Sequence, residues 1–175
     1  SFGLYAKGGA GSSATAIRSF PALNVGDSIA FQWGINWDAG SAGGNKGFNL
    51  WAGTTHLLNV ENAGNNNPVI NVAGTNSGMA YGTQAMNWSI TRTSATTLDV
   101  RATRRDGGVF TRTVTVNSSA PTRLEFYASN LSDGDQRQPY FNELRIFRNG
   151  ASAKNGSVYG NFNGSDTSKP LLFST

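Results

Sequence analysis

Trp51 and Asn49 stand two residues apart in GFNLWAG, and Gln32 and Asn36 stand four apart in IAFQWGINWD. A flat aromatic ring stacks on the apolar face of a pyranose, and planar amides hydrogen-bond its hydroxyls, so these residue types point to carbohydrate recognition. Strand alternation sends Gln32 and Asn36 to the polar side of their segment and Asn49 and Trp51 to the polar side of theirs. If the two segments neighbour each other, the four groups converge on one sugar ring, with Tyr127 and Tyr140 at the border. The expected binding set is therefore Trp51, Asn49, Gln32, Asn36, Tyr127 and Tyr140, and the expected partner is a polysaccharide or other glycan. The competing reading of Trp51 is that it packs beneath a loop or beneath the C-terminal arm.

Asp133 and Asp135, in NLSDGDQRQ after Asn130, offer oxygen ligands to a calcium ion. Calcium takes about six to eight oxygens, and no bidentate acid follows at calcium-loop spacing, so a solvated turn competes with a metal site. No other cofactor is expected.

Catalysis has little to stand on in the sequence. Glycoside hydrolysis needs two carboxylates facing one another across a cleft, but Asp27, Asp106, Asp133, Asp135 and Asp166 all fall in or beside turns. His56 is the only histidine and has no Gly-x-Ser-x-Gly partner. The absence of cysteine removes thiol chemistry, disulfides and thiolate metal sites together. The chain is expected not to be an enzyme. Arg101, Arg104, Arg105, Arg112 and Arg123 supply much of a net charge of +4, and a basic patch attracts polyanions. Alternation, however, puts Arg101 and Arg105 on one face and Arg104 on the other, with no aromatic residues interleaved. The arginines are read as a charged strand edge that resists pairing with other chains, and nucleic acid is not expected as a partner.

The elements that must position these groups are strands. From Ile29 to Trp37 every odd residue is large and apolar and every even one is small or polar, which is the period of a half-buried strand. Trp33 and Trp37 thus belong to the core with Ile29, Phe31 and Ile35. The same alternation sends Phe48, Leu50, Trp88, Ile90, Leu98, Val100, Leu124 and Phe126 inward. Eleven such runs, punctuated by Gly, Asn, Asp and Pro, predict an all-β antiparallel sandwich of jelly-roll type. The Asp106-Gly107 pair between LDVRATRR and VFTRTVTV marks a tight hairpin. Residues 1–147 are expected to form the sandwich and residues 148–175 a C-terminal arm or added edge strand. A chain of 175 residues buries roughly 70% of its unfolded surface without staples.

No apolar run approaches the roughly 20 residues of a membrane span, so no membrane insertion is expected, and the Gly-, Ser-, Thr- and Asn-rich composition suits a secreted β-protein. The chain is expected to be a mature or excised product.

At FGLYAKGG, AIRSFPALNVGDSIAFQWG, GGNKGFNLW and PYFNELRIF the sequence resembles a family of bacterial extracellular β-sandwich modules in the concanavalin A-like and laminin-G-like group. The resemblance spans residues 2 to 147. Such modules accompany carbohydrate-active enzymes and surface proteins, so it implies glycan binding or adhesion rather than catalysis. The alternative expectation is a structural subunit that self-assembles into an extracellular fibre or layer. There Phe2-Gly3-Leu4-Tyr5 and Leu171-Leu172-Phe173 would exchange as terminal strands between copies, giving a homo-oligomer.

Overall fold

A computed structural model describes residues 2–6, 10–35, 44–62, 69–80, 86–131 and 138–148, and the backbone of 158–159. Among them are thirteen strands and no helix: β1 (Phe2–Gly3), β2 (Ser13–Ser19), β3 (Ser28–Gly34), β4 (Asn45–Ala52), β5 (Thr55–Asn62), β6 (Val69–Val72), β7 (Thr75–Ala80), β8 (Met86–Arg92), β9 (Thr97–Thr103), β10 (Val109–Thr115), β11 (Arg123–Ser129), β12 (Tyr140–Phe147) and β13 (Val158–Tyr159). One sheet runs β1-β12-β3-β8-β9-β10, with β13 also on β12, and the other runs β2-β11-β4-β5-β6-β7. Every pairing between these strands is antiparallel. The two sheets pack as a sandwich, as the alternation predicts.

The inward rows meet in one core. Ile29, Phe31, Trp33 and Ile35 of the first sheet are buried, and so are Phe48, Leu50, Leu124 and Phe126 of the second. Phe48 sits at the centre, 4.8 Å from the Phe31 ring, 5.6 Å from Trp33 and 5.1 Å from Trp88, each edge-to-face. This is the favoured aromatic geometry, and each such ring contributes on the order of 2–3 kcal/mol by leaving water. The indole N–H groups of Trp33 and Trp88 find no acceptor among the described residues, so the core keeps both rings for their apolar area. Trp37 lies outside the described residues.

The turns and short strands divide into those the sequence announces and those it does not. Strand β7, TNSGMA, carries no alternation to announce it, and Gly78 inside it has φ +73°. The predicted hairpin, by contrast, is present. Arg104 N–H donates to Gly108 O at 2.7 Å, Gly107 has φ +89°, and Asp106 Oδ1 accepts from Gly108 N–H at 3.0 Å.

The charged edge is redrawn too. The edge strand is β10, yet Arg112 on it turns to the opposite sheet and donates to Val72 O at 2.8 Å. Arg101 is on β9, one strand in from the edge, and Arg123 is in the other sheet altogether. Strand β12 receives β1 along Phe141 and Tyr140, and β13 along Arg145 and Ile146. Among the described residues no helix is long and apolar enough to cross a membrane.

Candidate functional site

Strand pairing in the β4 sheet lays the outward side chains of β11, β4 and β5 in three rows. Arg123 stands beside Trp51 and His56, Glu125 beside Asn49 and Asn59, and Tyr127 beside Gly47 and Glu61. A bulge sets the first row. Leu58 pairs with Leu50 and His56 with Trp51, so Leu57 is an extra residue, and it is buried with Leu58. The bulge returns His56 to the outer face opposite the indole.

The middle row is a hydrogen-bonded lattice. Asn49 Nδ2 donates to Glu125 Oε1 at 2.9 Å, while its Oδ1 lies 3.1 Å from His56 Nε2 and accepts from Asn59 Nδ2 at 3.0 Å. Asn59 Nδ2 also donates to the Tyr127 hydroxyl at 2.9 Å, and Tyr127 donates to Glu61 Oε2 at 3.3 Å. Asn45 Nδ2 reaches the same Glu61 oxygen at 3.1 Å, and Ser129 Oγ donates to Asn45 Oδ1 at 3.2 Å. The two carboxylates of the face, Glu125 and Glu61, are thus joined through Asn49, Asn59 and Tyr127.

Gly47 makes that lattice possible. A Cβ there would run into Val60 O and would lie 2.8 Å from the Tyr127 oxygen. Only the bare glycine lets the tyrosine cross β4 to reach β5. Burial pushes the Tyr127 phenol well above its ordinary range; the neighbouring Glu61 and Glu125 charges push the same way, against the Asn59 hydrogen bond.

Trp51 is half-buried and held on both sides. The Arg123 guanidinium carbon lies 4.8 Å from its ring centroid, and the His56 ring meets it edge-on at 4.8 Å. A cation over an indole is stabilised by roughly 0.5–2 kcal/mol. A ligand that stacks on this face of Trp51 therefore exchanges places with Arg123, whereas the amide and carboxylate groups stand ready beside it.

Of the expected binding residues, Trp51, Asn49 and Tyr127 are brought together on this face. Gln32 and Tyr140 are not: both belong to the β3 sheet, on the opposite outer surface of the sandwich. There Gln32 Nε2 donates to Asn87 Oδ1 at 3.2 Å, and the Tyr140 hydroxyl lies 3.4 Å from that of Tyr5. The convergence expected for Gln32 with Trp51 is corrected because β3 and β4, consecutive in the chain, lie in different sheets. Asn36, Asp133 and Asp135 lie outside the described residues. Among the described residues no group of three or more His, Asp or Glu could hold a metal ion. His56, Asn59, Glu61, Arg123 and Glu125 join the face without having been singled out as ligand-binding residues. With Leu124 and Phe126 inward, alternation turns Glu125 outward, but the pairing of β11 with β4 carries no sequence signal.

No protein-family model matches the sequence, and no curated protein sequence matches it. Solved structures do share the fold. SCP-B, a member of the Eqolisin family of peptidases solved with the tripeptide Ala-Ile-His, is similar at a TM-score of 0.56 and 13% identity, covering 79% of this chain and 80% of that one. A sialidase is similar at a TM-score of 0.51 and 14% identity; 77% of this chain matches 14% of that one, so the likeness concerns a small part of the sialidase. CG-16, a homodimeric agglutinin from chicken liver, is similar at a TM-score of 0.41 and 14% identity over 73% of this chain and 98% of its own.

These findings overturn one expectation. The case against catalysis rested on the acids being scattered in turns and on a module fold that implies adhesion. The fold is one that peptidases use, and it gathers Glu125 and Glu61 onto a single face. The exclusion of enzymatic activity does not hold.

Proposed function

We propose that the outer face of β11, β4 and β5 binds carbohydrate in an extracellular setting. The observation that carries this reading is the middle row, where Glu125, Asn49 and Asn59 are fixed side by side by hydrogen bonds of 2.9 and 3.0 Å next to the Trp51 ring. Planar acceptors and donors held in one row match the hydroxyls of a sugar lying across the strands, whose spacing of about 4.8 Å is close to the width of a pyranose. Locking the lattice in advance lowers the ordering cost of binding. Affinity electrophoresis in soluble polysaccharides tests it: Asn49→Ala and Trp51→Ala should each remove retardation while circular dichroism stays that of the parent. Retardation unchanged in both variants refutes the site.

A second reading is favoured by one observation, the Asn49–Glu125 pair at 2.9 Å on an open sheet face, in a fold shared with peptidases. A carboxylate can take a proton from water, and an adjacent amide N–H can hold developing oxyanion charge. On this reading Glu125 is the base, Asn49 the oxyanion donor, and the reaction a hydrolysis. Turnover of peptide and glycoside libraries by the parent and by Glu125→Gln decides between them: turnover that disappears in the variant favours hydrolysis, and none in either favours binding alone.

A further inference from the structure

The opposite outer surface carries a groove that the carbohydrate face does not account for. It lies over β8, β9 and β10, is open to solvent with a volume of about 440 Å³, and is lined by Ser89, Thr91, Asp99, Arg101, Thr111 and Thr113 among others. Register arranges these six in two rows: Ser89, Arg101 and Thr111 side by side, then Thr91, Asp99 and Thr113. Strands stand about 4.8 Å apart, and the rows, two residues apart along each strand, are about 6.8 Å apart. All six carry hydrogen-bonding side chains.

The Arg101 side chain is exposed and has no hydrogen bond or ion pair among the described residues. Three other arginines are engaged: Arg104 with Asp106 at 2.8 Å, Arg112 with Val72 O at 2.8 Å, Arg145 with Glu143 at 3.4 Å; Arg105, exposed in the hairpin turn, is open like Arg101 but does not line the groove. Asp99, two residues along the same face, takes a hydrogen bond from Thr113 Oγ1 at 2.6 Å rather than pairing with Arg101. Guarding an edge does not explain the position, since β10 covers β9 on that side. A guanidinium with its whole fork of donors open, set among hydroxyls, suits a planar anion.

We propose that this groove binds an acidic sugar, a uronate residue of a polysaccharide, with Arg101 on its carboxylate and with Asp99, Ser89 and Thr111 on its ring hydroxyls. A uronate carries both chemistries on one ring, with the carboxylate and the far hydroxyls separated by about the spacing of the two rows. No aromatic ring lines the groove, so a neutral sugar has nothing to stack on and is discriminated against. This assignment does not depend on the Trp51 face.

Amide chemical shifts measured by NMR during titration with a uronate trisaccharide, and with its carboxyl-reduced neutral counterpart, test the proposal. The uronate should move the Ser89, Arg101 and Thr111 signals, saturably and less strongly in high salt; the neutral sugar should leave them still. Arg101→Gln should weaken uronate affinity by about tenfold, the scale of one lost charge-assisted pair, and Arg105→Gln, the same change of charge at an exposed residue outside the groove, should leave it unchanged. Thr111→Val, which keeps the charge, should weaken it less. Equal binding of the neutral sugar, unchanged affinity in Arg101→Gln, or shifts confined to β4 and β11 would overturn it.

Discussion

The side-chain amide of Asn49 donates to Glu125 at 2.9 Å while its own oxygen is shared between His56 and Asn59. One residue thus ties β11 to β5 across β4 on the solvent side of the sheet. Asn49→Ala should cost about 1–3 kcal/mol, because it leaves half-buried partners unsatisfied. Urea denaturation measures it, and a loss below about 0.5 kcal/mol would show the lattice to be ornamental.

Tyr127 should make stability depend on alkaline pH. Its phenol is held above the ordinary tyrosine value, chiefly by burial. The stabilisation is therefore fully present below the unfolded value of about 10 and is lost as pH rises from there through the folded value. Denaturation midpoints between about pH 8 and 11 should fall for the parent. Tyr127→Phe should lower the plateau but flatten that fall. An equally steep decline in the variant would assign it to other groups.

Gly47→Ala should be far worse than its size suggests. The added methyl has no room against Val60 O and the Tyr127 oxygen, so either β4 moves from β5 or the tyrosine leaves its site. A loss of about 3 kcal/mol, read from the shift in urea midpoint, is expected. Tyr127→Phe in the same chain should recover little of it, since the backbone carbonyl remains.

Asp27 and Arg148 form the most deeply buried ion pair among the described residues. Asp27 is fully buried, Arg148 Nη1 lies 2.7 Å from its Oδ2, and the same guanidinium donates to the carbonyls of Ala22 and Pro21 at 2.8 and 3.0 Å. Arg148→Ala takes the positive charge from a buried carboxylate that keeps the Asn24 N–H at 2.7 Å, and should cost about 3 kcal/mol in thermal or urea unfolding. Adding Asp27→Asn to that variant removes the buried charge, so the double variant should be more stable than Arg148→Ala alone.

Much of the sandwich is visible in the sequence because a single physical rule governs it: neighbouring side chains on a strand go to opposite faces. That rule sends Trp33, Phe48, Trp88 and Phe126 into the core, where they are. It also turns Asn49, Glu125 and Arg101 outward. It says nothing about which sheet a strand joins. Consecutive strands often neighbour each other, but β3 and β4 do not, and so Gln32 and Trp51 end up on opposite surfaces. The site suffers more than the fold from this. Glu125 and Asn49 are 76 residues apart in the chain and meet only through the β11–β4 pairing. The arginines show the same limit, since proximity around one hairpin hid three different fates.

Gln32 and Asn49 look out from opposite flanks, with one core between sheets that pack about 10 Å apart. Nothing seated on one flank can touch what is seated on the other. If both hold sugar, a long polymer would be riveted to its neighbours by each molecule it meets, and a solution of the two would thicken, while short fragments would leave it fluid.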